Sequence, residues 1–183
     1  MNEFMSKVGV PQILANRFYL RCIELALQSK NDKRQDQAFG AVLVKSGEII
    51  GEGRNRAIVH PRFRLERIVR QGYVNHAEVE ALNDALMQRR DVNGGLVYVA
   101  GFFMRNGFLF FQNKFTCKIC ISPLRKYLIE GIAVPTPNAW VERSLDEAEA
   151  DARECNGSRY DHRQSVLIGN YSIGLAKEAL AKR

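Results

Sequence analysis

The sequence predicts an α/β protein of three α-β-α layers, a mixed central sheet with helices on both faces. Three observations carry this. Amphipathic helical stretches at 13–30, 75–90 and 117–131 alternate with short runs rich in β-branched and aromatic residues. The 183 residues show no repeat or low-complexity tract, so a single domain over 1–183 is expected, with a core at about 13–157 and a C-terminal helical extension over 158–183. Hydrophobic residues at 46% and charged residues at 26% exclude a disordered or fibrous chain. No window approaches the ~18 apolar residues of a membrane span. The start, MNEFMSKVGVPQ, carries no signal core, so a cytoplasmic protein without a membrane partner is expected.

In ILANRFYLRCIELALQSK the polar Arg17, Arg21, Glu24 and Gln28 form one stripe, and Leu14, Phe18, Cys22 and Leu25 form an apolar face, which predicts a helix over 13–30. FGAVLVKSGEIIGEGRN follows as two strands joined at Lys45-Ser46-Gly47-Glu48. From Asn75, expected as an N-cap, HAEVEALNDALMQRR is helical. Asp91-Val-Asn-Gly-Gly breaks it, and LVYVAGFFM reads as a strand. Asn106-Gly107 signals a hairpin that sends FLFFQNKF back along that strand. CKICISPLRKYLIEG predicts a short helix ending at Gly131, followed by the buried strand IAVPT. A helix over 139–154 stops at Asn156-Gly157; 157–169 reads as loop and 170–182 as a last short helix. Trp140 is expected to be a packing residue.

Four cysteines are too few and too uneven for a disulfide framework. Cys22 and Cys155 lie in helix-like stretches and read as small buried hydrophobes. Cys117 and Cys120 form a CxxC pair. His76-Ala77-Glu78 opens one helix and this pair opens another. Each signal is weak alone, since a histidine at a helix start is more often a cap or a packed side chain and a CxxC can be an accident of composition. Together, one imidazole and two thiolates make a soft three-ligand set for Zn²⁺ that leaves a fourth tetrahedral position open to water, which is the mark of catalysis. Glu78, in the same first turn, is placed to move protons.

The net charge of +7 is concentrated between Arg54 and Arg70, where Arg54, Arg56, Arg62, Arg64, Arg67 and Arg70 face only Glu66. A charge run is most often a solvated face. This one leads directly to His76, and arginine binds phosphate oxygens bidentately, so an anionic substrate end is the sharper reading, with Arg54 and Arg56 foremost. His60 and His162 have no partners at ligand spacing and read as surface residues.

The H-x-E with a later C-x-x-C resembles the zinc-dependent cytidine and deoxycytidylate deaminase superfamily. FGAVLVKSGEIIGEGRNRAI is also similar to the hairpin that precedes the histidine in deoxycytidylate deaminases and tRNA adenosine deaminases. The helix AWVERSLDEAEADARE with its Asn-Gly is similar to the end of the deoxycytidylate branch, and the likeness covers roughly 13–157. It implies a cytidine-deaminase-like fold, zinc on His76, Cys117 and Cys120, proton transfer by Glu78, backbone contact to the base from Ala77 and sugar contact by Asn55. Thr116, counted with the substrate-side residues, stands where the family pattern has proline, so φ is not locked before the first thiolate. The 38 residues between Glu78 and Cys117 exceed the usual spacing, and the excess is the 102–115 segment with six of the ten phenylalanines. Packing or a homo-oligomer interface is the expected use of that cluster, ahead of a stacking wall for a base.

The function expected is hydrolytic deamination of a cytosine mononucleotide, dCMP, CMP or a close relative. The alternatives are a deaminase acting on a base within RNA or single-stranded DNA, and a non-catalytic zinc-binding module.

Overall fold

The structure is a computed structural model that describes residues 15–29, 37–55, 76–103, 108–111, 116, 118–135, 139–154 and 166–172. Helix α1 (Arg17–Ser29) starts where Asn16 Oδ1 accepts the backbone N–H groups of Phe18 and Tyr19, at 2.9 and 3.2 Å. That N-cap fixes the start at Arg17 rather than at residue 13. Strands β1 (Gln37–Lys45) and β2 (Glu48–Arg54) pair antiparallel, with Lys45 opposite Glu48. Ser46 and Gly47 between them have φ of 50° and 80°, the two positive values a two-residue type I′ turn demands.

Helix α2 (Ala77–Met87) takes His76 as its N-cap residue, one position beyond the expected Asn75, which lies outside the described residues. It ends before Arg90 in a Schellman arrangement: Arg89 is left-handed at φ 56°, its N–H donates to Leu86 O and the Arg90 N–H donates to Ala85 O, both at 3.0 Å. Strand β3 (Leu96–Phe103) follows, and β4 (Phe108–Phe111) returns antiparallel with Phe102 opposite Leu109, as the Asn-Gly signal predicts. Helix α3 (Lys118–Lys126) stops the same way as α2. Leu128 has φ 56° and donates to Arg125 O, and the Ile129 N–H donates to Leu124 O. Gly131, expected to end this helix, is instead the first residue of β5 (Gly131–Pro135), which is buried along its whole length.

Residues 139–154 are not one helix. Trp140–Ser144 forms strand β6, paired antiparallel with β5 from Pro135↔Trp140 to Gly131↔Ser144, and α4 (Leu145–Glu154) follows. The division falls at Ser144, whose Oγ accepts the Glu147 N–H while the Glu147 carboxylate accepts the Ser144 N–H at 2.9 Å. This reciprocal capping box starts the helix there. A second correction lies further on: Val166–Ser172, expected as loop and helix, is strand β7, paired antiparallel with β4. Its Val-Leu-Ile opening suits a strand, and β4 offers an open edge for it. Cys155, Asn156-Gly157 and 173–183 lie outside the described residues.

The sheet is mixed. Strand β3 is central, antiparallel to β1 over Gln37↔Phe103 to Val44↔Leu96 and parallel to β5 over Leu96↔Gly131 to Tyr98↔Ala133. One edge therefore runs β2-β1-β3-β5-β6, while β4 and β7 extend from the far end of β3. The strand period sorts the side chains into two cores. Val42, Val44 and Ala100 pack under α1 with Tyr19, Cys22 and Ile23. Ala41, Leu43, Val97, Val99 and Ile132 pack under α2, α3 and α4 with Leu82, Leu124 and Leu145. Helices thus cover both faces, giving the three layers expected.

Cys22 is fully buried, with Sγ 3.4 Å from Tyr98 O, and burial pushes its thiol far above the usual range, as suits a core residue. The Trp140 ring meets Tyr98 edge-on at 4.8 Å, the packing role expected of it.

Strand β2 is an edge strand, and α2 is fitted closely to it. A Cβ on Gly53 would collide with the carbonyl of Ala77 and the N–H of Ala81, and one on Gly51 with the carbonyl of Ala81. With no side chain at either position the helix backbone rests on the strand. The outward N–H groups of Arg54 and Glu52 donate to Glu80 Oε2 at 2.8 Å and Asp84 Oδ2 at 2.9 Å. Four helical residues advance about 6 Å and two strand residues about 6.6–6.8 Å, so the two repeats match. This fit sets where the start of α2 stands.

Candidate metal centre and active site

His76 occupies the N-cap position with extended backbone (φ −83°, ψ 145°), yet its side chain makes no capping hydrogen bond. Imidazole Nδ1 lies 3.2 Å from Cys120 Sγ. Cys120, in the first turn of α3, is fully buried, and Glu78, in the first turn of α2, is 8% exposed. Ligand atoms of His76, Glu78 and Cys120 all lie within 4.8 Å of one another. Two helix N-termini therefore converge on one imidazole, one thiol and one carboxylate.

This donor set fits zinc. For Zn–N of about 2.0–2.1 Å and Zn–S of about 2.3 Å, a tetrahedral edge between the two atoms is about 3.5 Å, close to the spacing of Nδ1 and Sγ. His76 and Cys120 are the pair the sequence put forward. Cys117, the third expected ligand, lies outside the described residues.

Thr116 Oγ1 lies 3.1 Å from Glu78 Oε1, and both side chains are buried. Asn55, just past β2, is 7% exposed; its Oδ1 accepts the Phe39 N–H at 2.7 Å and its own N–H donates to Phe39 O at 3.1 Å, so it carries the β1–β2 ladder one step further. Arg54 is half-buried at the end of β2, next to Asn55. Ala77 is buried at the first position of α2, where backbone N–H groups have no helical carbonyl to meet. Arg56, His60 and the remaining basic stretch through Arg70, like His162, lie outside the described residues.

Sequence reasoning missed Glu80 and Asp84. Glu80 is 2% exposed, a buried carboxylate one turn into the helix that carries the site. The available signal was the pair of alternate glycines in GEGRN, which marks a close backbone approach, together with two acids four residues apart on the following helix.

The model of the family described as the cytidine and deoxycytidylate deaminase zinc-binding region matches residues 14–135, two thirds of the chain. The chain belongs to this family. Among curated proteins none matches this deaminase-family chain. Several solved structures do. The dCMP deaminase of cyanophage S-TIM5, in complex with dCMP and dUMP, is 23% identical over 61% of this chain and 74% of its own, with a TM-score of 0.41. A diaminohydroxyphosphoribosylaminopyrimidine deaminase/5-amino-6-(5-phosphoribosylamino)uracil reductase from Thermotoga maritima is 21% identical over 76% of this chain and 34% of its own, at 0.42. Acinetobacter baumannii RibD is 25% identical over 64% and 27%, at 0.39. Membership rests on the family match over 14–135, within which the described site residues His76, Glu78, Thr116 and Cys120 all fall. Among the described residues no helix is long and apolar enough to cross a membrane.

Proposed function

We propose that the protein is a zinc-dependent hydrolase that converts a cytosine mononucleotide, dCMP, CMP or a close relative, and water to the uracil nucleotide and ammonia. The observation that carries this reading is the approach of His76 Nδ1, Cys120 Sγ and a Glu78 carboxylate oxygen to within 4.8 Å at two helix N-termini. In this reading His76, Cys117 and Cys120 hold zinc, which when bound supplies the Lewis acidity that makes water a competent nucleophile near neutral pH. Glu78 takes a proton from the attacking water and returns it to the departing amino nitrogen. The Ala77 backbone meets the base and Asn55 the sugar. Arg54, Arg56 and the arginines that follow neutralise the 5′-phosphate, with Thr116 on the approach to the first thiolate. A reducing, cytosolic setting suits thiols kept for a metal, and Cys22 and Cys120 are both free of disulfides. The homo-oligomer expected from the phenylalanine-rich segment belongs to the same proposal, with sedimentation as its readout.

Ammonia release from nucleosides, mono- and triphosphates and single-stranded oligonucleotides tests the reading. Turnover of CMP or dCMP well above the matching nucleoside is expected, together with loss of that preference in Arg54→Ala or Arg56→Ala. Turnover confined to oligonucleotides, with binding that weakens steeply as salt rises, would replace it with a polymer substrate. A zinc-loaded chain that releases no ammonia from any of them would leave a binding module.

A further inference from the structure

We infer that Thr116 is a positioning residue for Glu78: its hydroxyl donates to one carboxylate oxygen and holds the group beside His76 and Cys120. The inference rests on the deaminase reading and deepens it. The contact spans 3.1 Å between Oγ1 and Oε1, with Thr116 7% and Glu78 8% exposed. The threonine hydroxyl donates and the carboxylate oxygen accepts, and a hydrogen bond shielded from water is stronger than one at the surface.

Three features make this more than local packing. Glu78 has three side-chain torsions, and transferring a proton requires its carboxylate to stay within a fraction of an ångström of one place. Thr116 immediately precedes Cys117 in the chain, so the bond ties the α2 half of the site to the α3 half across 38 positions of sequence. The proline of the family pattern at this position has no hydroxyl, so the contact is a property of this chain's own threonine.

The test uses the zinc-loaded full chain and the variants Thr116→Val, Thr116→Ser and Thr116→Ala. Thr116→Val should lower kcat by about 10–100-fold, with KM within about threefold of the parent. Zinc content should not change. Thr116→Ser, which keeps the hydroxyl, should recover kcat to within about threefold of the parent. If valine disturbs folding, serine against alanine asks the same question, because those two differ only by the hydroxyl. A double-mutant cycle of Thr116→Val with Glu78→Ala, each of which removes one partner of the hydrogen bond, read by urea unfolding, should show coupling, which reports the contact independently of turnover. Parental kcat in Thr116→Val, serine no better than alanine at equal zinc content, or an additive cycle would overturn the inference. A parent that deaminates nothing would instead sink the deaminase reading, and the two failures are told apart by assaying the parent first.

Discussion

Glu80 Oε2 accepts the backbone N–H of Arg54 at 2.8 Å, so a buried carboxylate two residues from Glu78 fastens the helix that carries the site to the strand that leads into the basic stretch. An edge-strand N–H that would otherwise face buried surface is satisfied by a side chain, and the same bond fixes how far α2 can slide along β2. Glu80→Ala leaves that N–H without its acceptor, so it should lower stability by about 1–3 kcal/mol in urea unfolding. Glu80→Gln, whose amide oxygen can still accept, should lose less. Equal losses would mean that the carboxylate's charge, not its hydrogen bond to Arg54, is what matters.

Gly53→Ala should be costly because the added methyl meets backbone atoms of Ala77 and Ala81, which cannot rotate aside. Relief requires α2 to lift from β2, and His76 and Glu78 move with it. The expected result is a lower thermal midpoint together with weaker zinc retention against a chelator. Gly94→Ala, at φ 72° with open space around it, should lower the midpoint by backbone strain alone and leave zinc retention at the parental level.

The capping box predicts a pH effect. Hydrogen bonds from the Ser144 backbone N–H and hydroxyl hold the Glu147 carboxyl below the usual carboxylate range. A carboxyl depressed in the folded state stabilises above its unfolded pKa, and that contribution disappears as pH falls through the folded value. The stability gap between the parent and Glu147→Gln should therefore be present at neutral pH and shrink through the acid range. A gap that does not change with pH would show that the carboxylate is not the group responsible.

Leu128 ends α3 in the left-handed region at φ 56° with its side chain 63% exposed, so it accepts backbone strain while burying little. Leu128→Gly should raise stability by about 0.5–1 kcal/mol, the relief of that strain less the entropy of a freer unfolded chain. A drop in the denaturation midpoint would indicate that the leucine side chain contributes packing that outweighs the strain.

Glu78→Gln keeps the size of the side chain and removes its ability to carry a proton. Zinc content should match the parent, and turnover should fall by about 10²–10⁴-fold. Removing both thiolates, as Cys117→Ser/Cys120→Ser, should abolish zinc binding as well as turnover. Zinc retained at full occupancy in the double variant would place the metal elsewhere.

The candidate site residues and most of the elements were legible in the sequence alone. His76, Glu78 and Cys120 could be named from their types and spacing because a soft ion restricts its ligands to few side chains. The β1–β2 hairpin and the return of β4 were legible because Ser-Gly and Asn-Gly turns have strong local preferences. The ends of α2 and α3 were not, since Arg89 and Leu128 take left-handed backbone that a sequence normally signals with glycine. Residues 140–144 were read as helix because the Glu-rich run behind them is helical; only pairing with β5 makes them a strand. Strand β7 likewise depends on the open edge of β4. The mounting of α2 on β2 through Glu80 and Asp84, and the contact of Thr116 with Glu78, join positions 26 to 38 residues apart. No local propensity encodes such contacts. They form when the packed sheet brings the helix starts together, and only the tertiary structure could decide them.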